Sequence, residues 1–169
     1  MDKVRALFMG RFQPFHLGHL KVIENIAAQE EADGIVIGIG SALDSHTPEN
    51  PFTAGERIMM INNSITNIDT PMYLIAIPDI YNNAVWVPHV ISLAPKFQII
   101  YSGNKLVRRL FEEHGIDVRE HAYYNQNMYS GTEIRQRIVE GKEWEDLVPE
   151  GVVEVINSIG GVERIRELA

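Results

Sequence analysis

An arginine and two histidines lie close together near the start of the chain, in the stretch GRFQPFHLGH of residues 10–19, the N-terminal stretch. An apolar segment precedes it and apolar residues at helical spacing follow it, which predicts a strand, a tight loop and a helix. A helix start attracts anions because its N–H groups are unpaired and the peptide dipole is positive there. Arg11, His16 and His19 add side-chain donors at the same point. The stretch therefore predicts a phosphate site.

Two other interpretations of the histidine pair are a capped surface helix and one half of a zinc site. Histidines three apart on a first turn lie on one face of the helix. Zinc needs a third and usually a fourth ligand, and the chain has no cysteine and no other histidine pair at ligand spacing. Gly10 allows a tight turn beside a ligand, and Gly18 lets the backbone approach one closely. These residue types favour phosphate over a metal held by protein side chains.

A second helix start with anion-binding residues lies in the stretch YSGTEIR of residues 129–135, the C-terminal stretch. Ser130 and Glu133 fit a capping box, which a helix without a binding role would also use. Thr132 adds a second hydroxyl group, and Arg135 lies one turn along, where its guanidinium can reach an anion at the helix start. We expect the two stretches to hold one triphosphate from opposite rims of a cleft.

Short apolar runs alternate with helical patterns between the two stretches. We predict strands over residues 4–9, 35–40, 72–77, 97–101 and 116–118. Strand, helix and strand in succession form a βαβ unit with parallel strands. The sequence therefore predicts one domain over residues 1–169, an α/β fold with a doubly wound, mostly parallel sheet of about five strands and a C-terminal helical tail. We expect the tail to pack against the sheet edge or another subunit.

Three further segments agree with the predicted order of strands, helices and loops. The segment of residues 30–34, which contains three acidic side chains, ends the first helix, and residues 123–129 form a polar and aromatic loop. Thr53 and Glu56 fit a capping box at the start of the second helix. Because capping explains this spacing, Glu56 and Arg57 receive no chemical role from it.

Residues that follow the predicted strands are candidates for substrate binding, since ligands of open α/β sheets bind at the carboxyl ends of strands. They are Gly40 and Ser41 after the second strand, Asp79, Asn83 and Trp86 after the third, and Gly103 and Asn104 after the fourth. Trp86 has two interpretations. It can belong to the core as the first large apolar residue of a helix, or it can stack on a flat ring from the ligand side. Its spacing does not decide between them.

The composition excludes several classes of function. The chain of 169 residues has a net charge of −8 and no basic run longer than Arg108-Arg109, whereas broad nucleic-acid binding uses basic patches. No stretch reaches the roughly 18–20 apolar residues of a membrane span, and the first residues lack a signal-peptide pattern. No cysteine is present for a disulfide. We therefore predict a soluble cytoplasmic protein that binds neither nucleic acid nor membranes.

The N-terminal stretch resembles the H-x-G-H signature of nucleotidyltransferases, in a G-R-F-Q-P-F-H form similar to that of the archaeal nicotinamide-nucleotide adenylyltransferases. The C-terminal stretch resembles the second signature of that family, serine-x-threonine-x-x-arginine, at the expected distance. The resemblance implies a Rossmann-like nucleotidyltransferase fold and a reaction in which ATP and nicotinamide mononucleotide (NMN) give NAD and pyrophosphate. It covers most of the chain, because the two signatures occur in order with strands between them.

The resemblance also implies roles for the residues named above. His16 would bind the α- and β-phosphates of ATP, and His19 the phosphoryl oxygens of the transition state. Arg11 and Arg135 would hold the triphosphate, with the Ser130 and Thr132 hydroxyls as further donors. The remaining assignments place Gly103 and Asn104 at the adenosine, Trp86 stacked on nicotinamide, Asp79 and Asn83 in that pocket, and Gly40 and Ser41 where the nucleotides meet. Mg²⁺ would arrive with ATP.

Further expectations and alternatives follow from the resemblance. It suggests a homo-oligomer. Related enzymes can carry an arginine in the loop of residues 44–52, where this chain has Pro48-Glu49-Asn50, so a phosphate contact from that loop is not expected. A sister transferase that acts on phosphopantetheine, flavin mononucleotide or a cytidylyl donor would share both signatures. Only an acceptor with a flat ring, however, would gain affinity by stacking on Trp86. A nucleotide sensor without catalysis would need a further module that recognises its binding partner, such as a DNA-binding helix pair, and the chain has no room for one.

Overall fold

A computed structural model gives the structure of residues 3–29, 31–121 and 124–169. The first residues of two predicted segments, the acidic helix end at 30–34 and the loop at 123–129, lie outside the described residues.

The described residues form one sheet of five strands, in which every neighbouring pair is parallel. The strands are β1 (Arg5–Gly10), β2 (Gly34–Ile39), β3 (Met72–Ala76), β4 (Ile99–Tyr101) and β5 (Asp117–Arg119). Their order across the sheet is β3-β2-β1-β4-β5, so the winding reverses between β1 and β4, as in doubly wound folds. The predicted mostly parallel sheet of about five strands is confirmed.

Seven α-helices lie within the described ranges. They are α1 (Leu17–Ala28), α2 (Ala54–Ser64), α3 (Asn83–Leu93), α4 (Lys105–Glu113), α5 (Gly131–Glu140), α6 (Glu150–Ser158) and α7 (Gly161–Leu168). The capping box predicted for α2 is present, because the Thr53 hydroxyl accepts the Glu56 N–H at 3.2 Å and the Glu56 carboxylate accepts the Thr53 N–H at 2.9 Å. No helix of the described chain has the length and apolar character needed to cross a membrane.

The chain divides into two compact units, of which the first comprises Met1–Gly10, Val22–Ser41 and Ile68–Tyr123. This unit contains the five described strands. Strand β2 is buried along its whole length, as expected for an apolar, β-branched strand inside a parallel sheet. The core cluster of the unit consists of Leu7, Val36, Ile77, Val87, Val90, Phe97, Ile100 and Phe111.

The second unit comprises Arg11–Lys21, Ala42–Asn67 and Tyr124–Ala169. In this unit α6 packs against α2, and α7 packs against α5 and α6. Arg164 of α7 binds the Glu56 carboxylate of α2 through two hydrogen bonds of 2.7 and 2.9 Å. The C-terminal tail is therefore part of a helical unit, in which Val152 and Ile156 of α6 are fully buried. The expectation of one domain over residues 1–169 stays a prediction.

Candidate active site

The N-terminal and C-terminal stretches contact each other within the second unit. The Arg135 guanidinium donates from Nη1 to the carbonyl oxygen of Gln13 at 2.7 Å. Helix α5 begins at Gly131, where a β-carbon would lie only 2.7 Å from the same oxygen, so glycine is required. A β-carbon at Gly18 in α1 would lie 3.1 Å from the Cβ atom of Tyr129. The two helix starts predicted to bind phosphate therefore lie side by side.

His16 and His19 cap the start of α1 with their rings. The His19 N–H donates to Nδ1 of His16 at 3.3 Å, and the His16 N–H donates to Nδ1 of His19 at 3.2 Å. His16 directly precedes α1 and His19 is its third residue, so two imidazoles reproduce the geometry of a capping box. Because each Nδ1 accepts a hydrogen bond, we assign the proton of each neutral ring to Nε2. An Nε2–H group is a donor for a phosphate oxygen.

The two imidazole rings stack on each other, with centroids 3.5 Å apart and planes 17° from parallel. Phe12 and Phe15 pack against the His19 ring at centroid distances of 4.8 and 5.5 Å. His16 is 6% exposed, and its burial lowers its pKa from 6.5 to about 4. His16 is therefore neutral at pH 7 and can act as a hydrogen-bond donor without carrying a charge.

The depressed pKa of His16 predicts a loss of stability in acid. Below pH 6.5 the unfolded chain binds a proton at His16, whereas the folded chain does so only near pH 4. Folding stability therefore falls as the pH drops from about 6.5 to about 4, and we expect this residue to account for about 3 kcal/mol of that loss. Urea unfolding of the wild type and of His16→Gln, at pH 7 and at pH values down to 4, measures the effect.

The matched control for this prediction is His114→Gln, because His114 is an exposed histidine at the end of α4. We expect His16→Gln to flatten the decline of the unfolding free energy in acid and His114→Gln to leave it unchanged. Equal acid slopes in the wild type and in His16→Gln would contradict the assignment of a neutral, buried His16.

Arg11 and Arg135 bring like charges together in the second unit. Burial and, after it, the positive charge of Arg11 lower the pKa of Arg135, whereas the negative charge of Glu49 raises it. Nη2 of Arg135 also lies 3.5 Å from Oγ1 of Thr132. An anion with several negative charges would relieve the repulsion between the guanidinium groups. Glu49, in the loop of residues 44–52, thus places a carboxylate where its charge acts on Arg135.

Ser130 caps helix α5 as predicted, because its hydroxyl accepts the Glu133 N–H at 3.1 Å. The Glu133 carboxylate accepts a hydrogen bond of 2.7 Å from Nε of Arg137, one turn further along the helix. The structure thus shows the serine half of the predicted capping box, and Glu133 forms an i,i+4 ion pair instead of completing it.

Two buried polar side chains that belong to the N-terminal stretch or bind its backbone, Gln13 and Arg57, were not among the predicted site residues. Gln13 is 3% exposed, and its amide pairs with the backbone of Phe52 through two hydrogen bonds of 2.9 Å. Arg57 is 0% exposed, and its Nη1 donates to the carbonyl oxygen of Arg11 at 2.8 Å. These contacts join residues 39 and 46 positions apart. The spacing of residues along the sequence cannot predict partners so far apart. The only sequence feature that pointed to a role at the site was the position of Gln13 inside the N-terminal stretch.

The first unit joins Ser41, predicted where the two nucleotides meet, to Asp79, predicted in the nicotinamide pocket. The Ser41 hydroxyl donates to the Asp79 carboxylate at 2.7 Å, although the two residues follow different strands. Strands β2 and β3 are neighbours in the sheet, so the loops that follow them begin side by side. The Gly40 N–H donates to the carbonyl oxygen of Gly10 at 2.9 Å, which also joins the ends of β1 and β2.

Trp86 is half-buried on α3 and packs against the core cluster of the first unit. Its ring meets the Phe111 ring edge-on, with centroids 5.6 Å apart and planes at 76°. The core interpretation of Trp86 describes these contacts, and stacking on a ligand stays a prediction. Asn83 is the exposed first residue of the same helix, and the side chain of Asn82 caps it.

Asn104 caps helix α4, also in the first unit. Its side-chain oxygen accepts the N–H groups of Leu106 and Val107 at 2.9 and 3.2 Å. Gly103, directly before the cap, is half-buried. A structural role thus explains the Asn104 oxygen, and contact of these two residues with adenosine stays a prediction.

Over residues 3–29, 31–121 and 124–169, no group of three or more His, Cys, Asp or Glu side chains is placed to hold a metal ion. The chemistry of the described site is that of nitrogen donors and cations, which bind anions. The paired helix starts of the second unit carry two imidazoles, the hydroxyls of Ser130 and Thr132 and the Arg135 guanidinium, whose pKa is lowered in part by the charge of Arg11. Such a set can bind a chain of phosphates and stabilise negative charge that develops on it.

Comparison with known proteins shows what the chain is similar to. The family model described as cytidylyltransferase-like matches residues 7–137. The chain is 54% identical to the nicotinamide-nucleotide adenylyltransferase of Methanococcus aeolicus, over 98% of this chain and 95% of that protein. It is 48% identical to the protein of the same name from Archaeoglobus fulgidus, over 98% of both chains.

Solved structures share the fold at lower sequence identity. The bifunctional NMN adenylyltransferase/ADP ribose pyrophosphatase of Francisella tularensis superposes with a TM-score of 0.78 at 24% identity, and its complex with AMP and a manganese ion with 0.76 at 23%. This chain spans 52% of the length of those two. A structure from Vibrio parahaemolyticus gives a TM-score of 0.68 at 17% identity, over 96% of its length.

Proposed function

This chain belongs to the nicotinamide-nucleotide adenylyltransferase family, within the cytidylyltransferase-like proteins, and we propose that it transfers the adenylyl group of ATP to NMN, giving NAD and pyrophosphate. The observation that carries the proposal is the arrangement of the second unit, where Arg135 and two stacked imidazoles lie at a pair of helix starts and the charge of Arg11 acts on Arg135. A site of this kind suits the triphosphate of a nucleotide.

The reaction needs positioning and charge stabilisation more than acid–base chemistry. A phosphate oxygen of NMN attacks the α-phosphorus of ATP, and the bond to pyrophosphate breaks in line with the bond that forms. The attacking phosphate is already ionised at neutral pH and needs no general base. Negative charge grows on the leaving pyrophosphate, so donors aimed at the phosphates lower the barrier.

Each donor of the second unit has a place in this scheme. His16 binds the α- and β-phosphates as a neutral Nε2–H donor, in keeping with its depressed pKa. His19 donates to the phosphoryl oxygens of the transition state, and Arg11 and Arg135 hold the triphosphate. The hydroxyls of Ser130 and Thr132 supply further donors. Mg²⁺ enters as part of the MgATP substrate, held mainly by phosphate oxygens and water.

The direct test is a panel of acceptors incubated with the protein and MgATP and scored by release of pyrophosphate. We expect release with NMN and formation of NAD, and little release with phosphopantetheine, flavin mononucleotide or no acceptor. Release only with another acceptor would identify a sister transferase, and binding of ATP without release would identify a nucleotide sensor. Either result would overturn the proposed reaction.

Trp86 offers a prediction on the acceptor side. If its exposed part stacks on nicotinamide, Trp86→Ala removes roughly 1–3 kcal/mol of stacking and raises the Michaelis constant for NMN about tenfold or more. The constant for ATP should change much less. Steady-state kinetics with each substrate varied in turn measures the difference.

A control variant preserves the packing of an aromatic ring against the core at position 86. Trp86→Phe retains an aromatic edge for Phe111, with which Trp86 packs at 5.6 Å, and should preserve most of the NMN affinity and the melting temperature. Equal increases in both Michaelis constants, together with a lower melting temperature, would assign Trp86 to the core alone.

We also propose that the enzyme works as a homo-oligomer, which the family resemblance suggests. Helix α3 supports this proposal, because it exposes the apolar side chains of Val85, Ile91 and Leu93 to the extent of 48, 47 and 41%. Light scattering of the purified chain tests it, and a monomer at all concentrations would exclude it.

A further inference from the structure

Arg57 is a fully buried arginine whose contacts point to the N-terminal stretch. It lies in the first turn of α2 and is 0% exposed. Its Nε donates to the Thr53 carbonyl oxygen at 3.2 Å and its Nη1 donates to the Arg11 carbonyl oxygen at 2.8 Å. Burying a guanidinium group is costly unless hydrogen bonds compensate it. A residue of this kind therefore fixes the backbone groups that it binds.

The backbone held by Arg57 is unusual. The Arg11 carbonyl belongs to the peptide unit that links Arg11 to Phe12, and Phe12 has a φ of +54°. This left-handed conformation is unfavourable for a bulky residue and persists only when surrounding contacts enforce it. Two contacts do so here, because the Phe12 ring is buried at 1% exposure and Arg57 fixes the preceding carbonyl.

Phe12 connects this strained backbone to the histidine pair. Its ring meets the His19 ring nearly at right angles, with centroids 4.8 Å apart, and His19 stacks in turn on His16. A continuous set of contacts thus runs from the Arg57 hydrogen bond through Phe12 to His19. The side chain of Arg11 leaves the same backbone segment, so its direction depends on the same peptide unit.

We propose that Arg57 is a positioning residue for adenylyl transfer, which holds the Arg11 carbonyl, keeps Phe12 left-handed and so orients His19 and Arg11 toward the phosphates. The inference rests on the proposed function. Arg57 itself acts through these residues and has no contact with the reacting atoms in this scheme. Its loss should therefore reduce kcat more than it reduces the stability of the protein.

The variants Arg57→Lys and Arg57→Met test the proposal. Lysine keeps the charge but cannot reproduce the two-point contact of a guanidinium group, and methionine removes all donors at similar length. The matched control is Arg164→Met, which removes the hydrogen bonds of the Arg164 guanidinium to the Glu56 carboxylate and to the Pro51 carbonyl oxygen near the same end of α2. None of these hydrogen bonds involves the Arg11 carbonyl that Arg57 binds. Each protein is assayed with saturating ATP and NMN, at a temperature where near-ultraviolet circular dichroism shows it folded.

We expect kcat to fall roughly tenfold to a hundredfold in the Arg57 variants, as for the loss of one charged hydrogen bond. Arg164→Met should lower the melting temperature with kcat within about twofold, since its partners are Glu56 and the Pro51 carbonyl and not the Arg11 carbonyl. In a double-mutant cycle of Arg57→Lys with His19→Ala, the losses of kcat should be non-additive. If Arg57→Lys already misplaces His19, removing the His19 side chain costs little more. Additive effects, or equal kcat losses in Arg57→Lys and Arg164→Met, would overturn the proposal.

A second readout needs no turnover, and it separates failure of this inference from failure of the proposed function. Long-range ¹H–¹⁵N spectra report the protonation and surroundings of the His19 ring nitrogens. We expect the His19 signals to shift in Arg57→Lys and to stay in place in Arg164→Met. Unchanged His19 signals in folded Arg57→Lys would refute positioning by Arg57, even in a protein that released no pyrophosphate. Absence of turnover in the wild type would refute the function alone.

Discussion

Replacing His19 with alanine is expected to reduce kcat about 10²–10³-fold, the usual effect of removing one donor aimed at developing charge. The structure gives the ring a defined direction. Its Nδ1 accepts the His16 N–H, and Phe12, Phe15 and His16 surround its faces and edge. In the proposed reaction, a ring held in this way would offer its Nε2–H to the phosphoryl oxygens with little rearrangement. Rapid-quench measurement of NAD formation at saturating substrates gives the effect on the chemical step.

The binding of ATP should largely persist in His19→Ala, because the arginines and the helix starts remain. Isothermal titration with ATP tests this part, and His114→Ala serves as a control for removal of an exposed histidine. A kcat equal to that of the wild type would exclude His19 from transition-state stabilisation. A parallel loss of ATP affinity and kcat would indicate that His19 binds the ground state equally well.

Replacing Arg135 with methionine is expected to weaken ATP binding roughly tenfold to a hundredfold, since a charge-assisted hydrogen bond contributes about 1.5–3 kcal/mol. Arg135 is half-buried, lies beside Thr132 and Gln13, and feels the positive charge of Arg11. A guanidinium group held against a like charge gains more from an incoming triphosphate than an isolated surface arginine would. Titration calorimetry at two salt concentrations measures the affinity and its electrostatic part.

The control for Arg135 lies on the same helix. Arg137→Met makes the same change of charge and size two residues away, where the guanidinium pairs with Glu133 at 2.7 Å. It should alter helix stability slightly and leave the ATP dissociation constant within about twofold. Equal effects of the two variants would mean that only net charge matters. Normal ATP affinity in folded Arg135→Met would remove Arg135 from the triphosphate site.

The contact between Arg135 and Gln13 also explains why position 131 requires glycine. A β-carbon there would lie 2.7 Å from the Gln13 oxygen and 2.9 Å from Nη1 of Arg135. The two stretches therefore meet through backbone as well as through side chains. Such close approach fixes the distance between the two helix starts more firmly than flexible side chains could.

Local sequence determined much of this protein, because local physical rules decide it. Alternation of β-branched runs with helical spacing predicted a parallel sheet of about five strands, and the hydroxyl-to-glutamate spacing predicted the cap at Thr53. Residue types alone predicted anion binding at both helix starts, with Arg11, His16, His19 and Arg135 among the donors. These inferences need only neighbours within one or two turns.

Only the tertiary structure decided which distant groups meet. It paired Arg57 with the Arg11 carbonyl, Gln13 with Phe52 and Ser41 with Asp79, and it built the C-terminal helices onto α2 and α5. It also turned Nδ1 of each histidine to the other's backbone, which leaves Nε2 to carry the proton. The burial of a side chain and the identity of its hydrogen-bond partners depend on how the whole chain packs, so no local sequence pattern could predict them. The residue types predict a phosphate site, and the packing determines how the predicted residues are held in place.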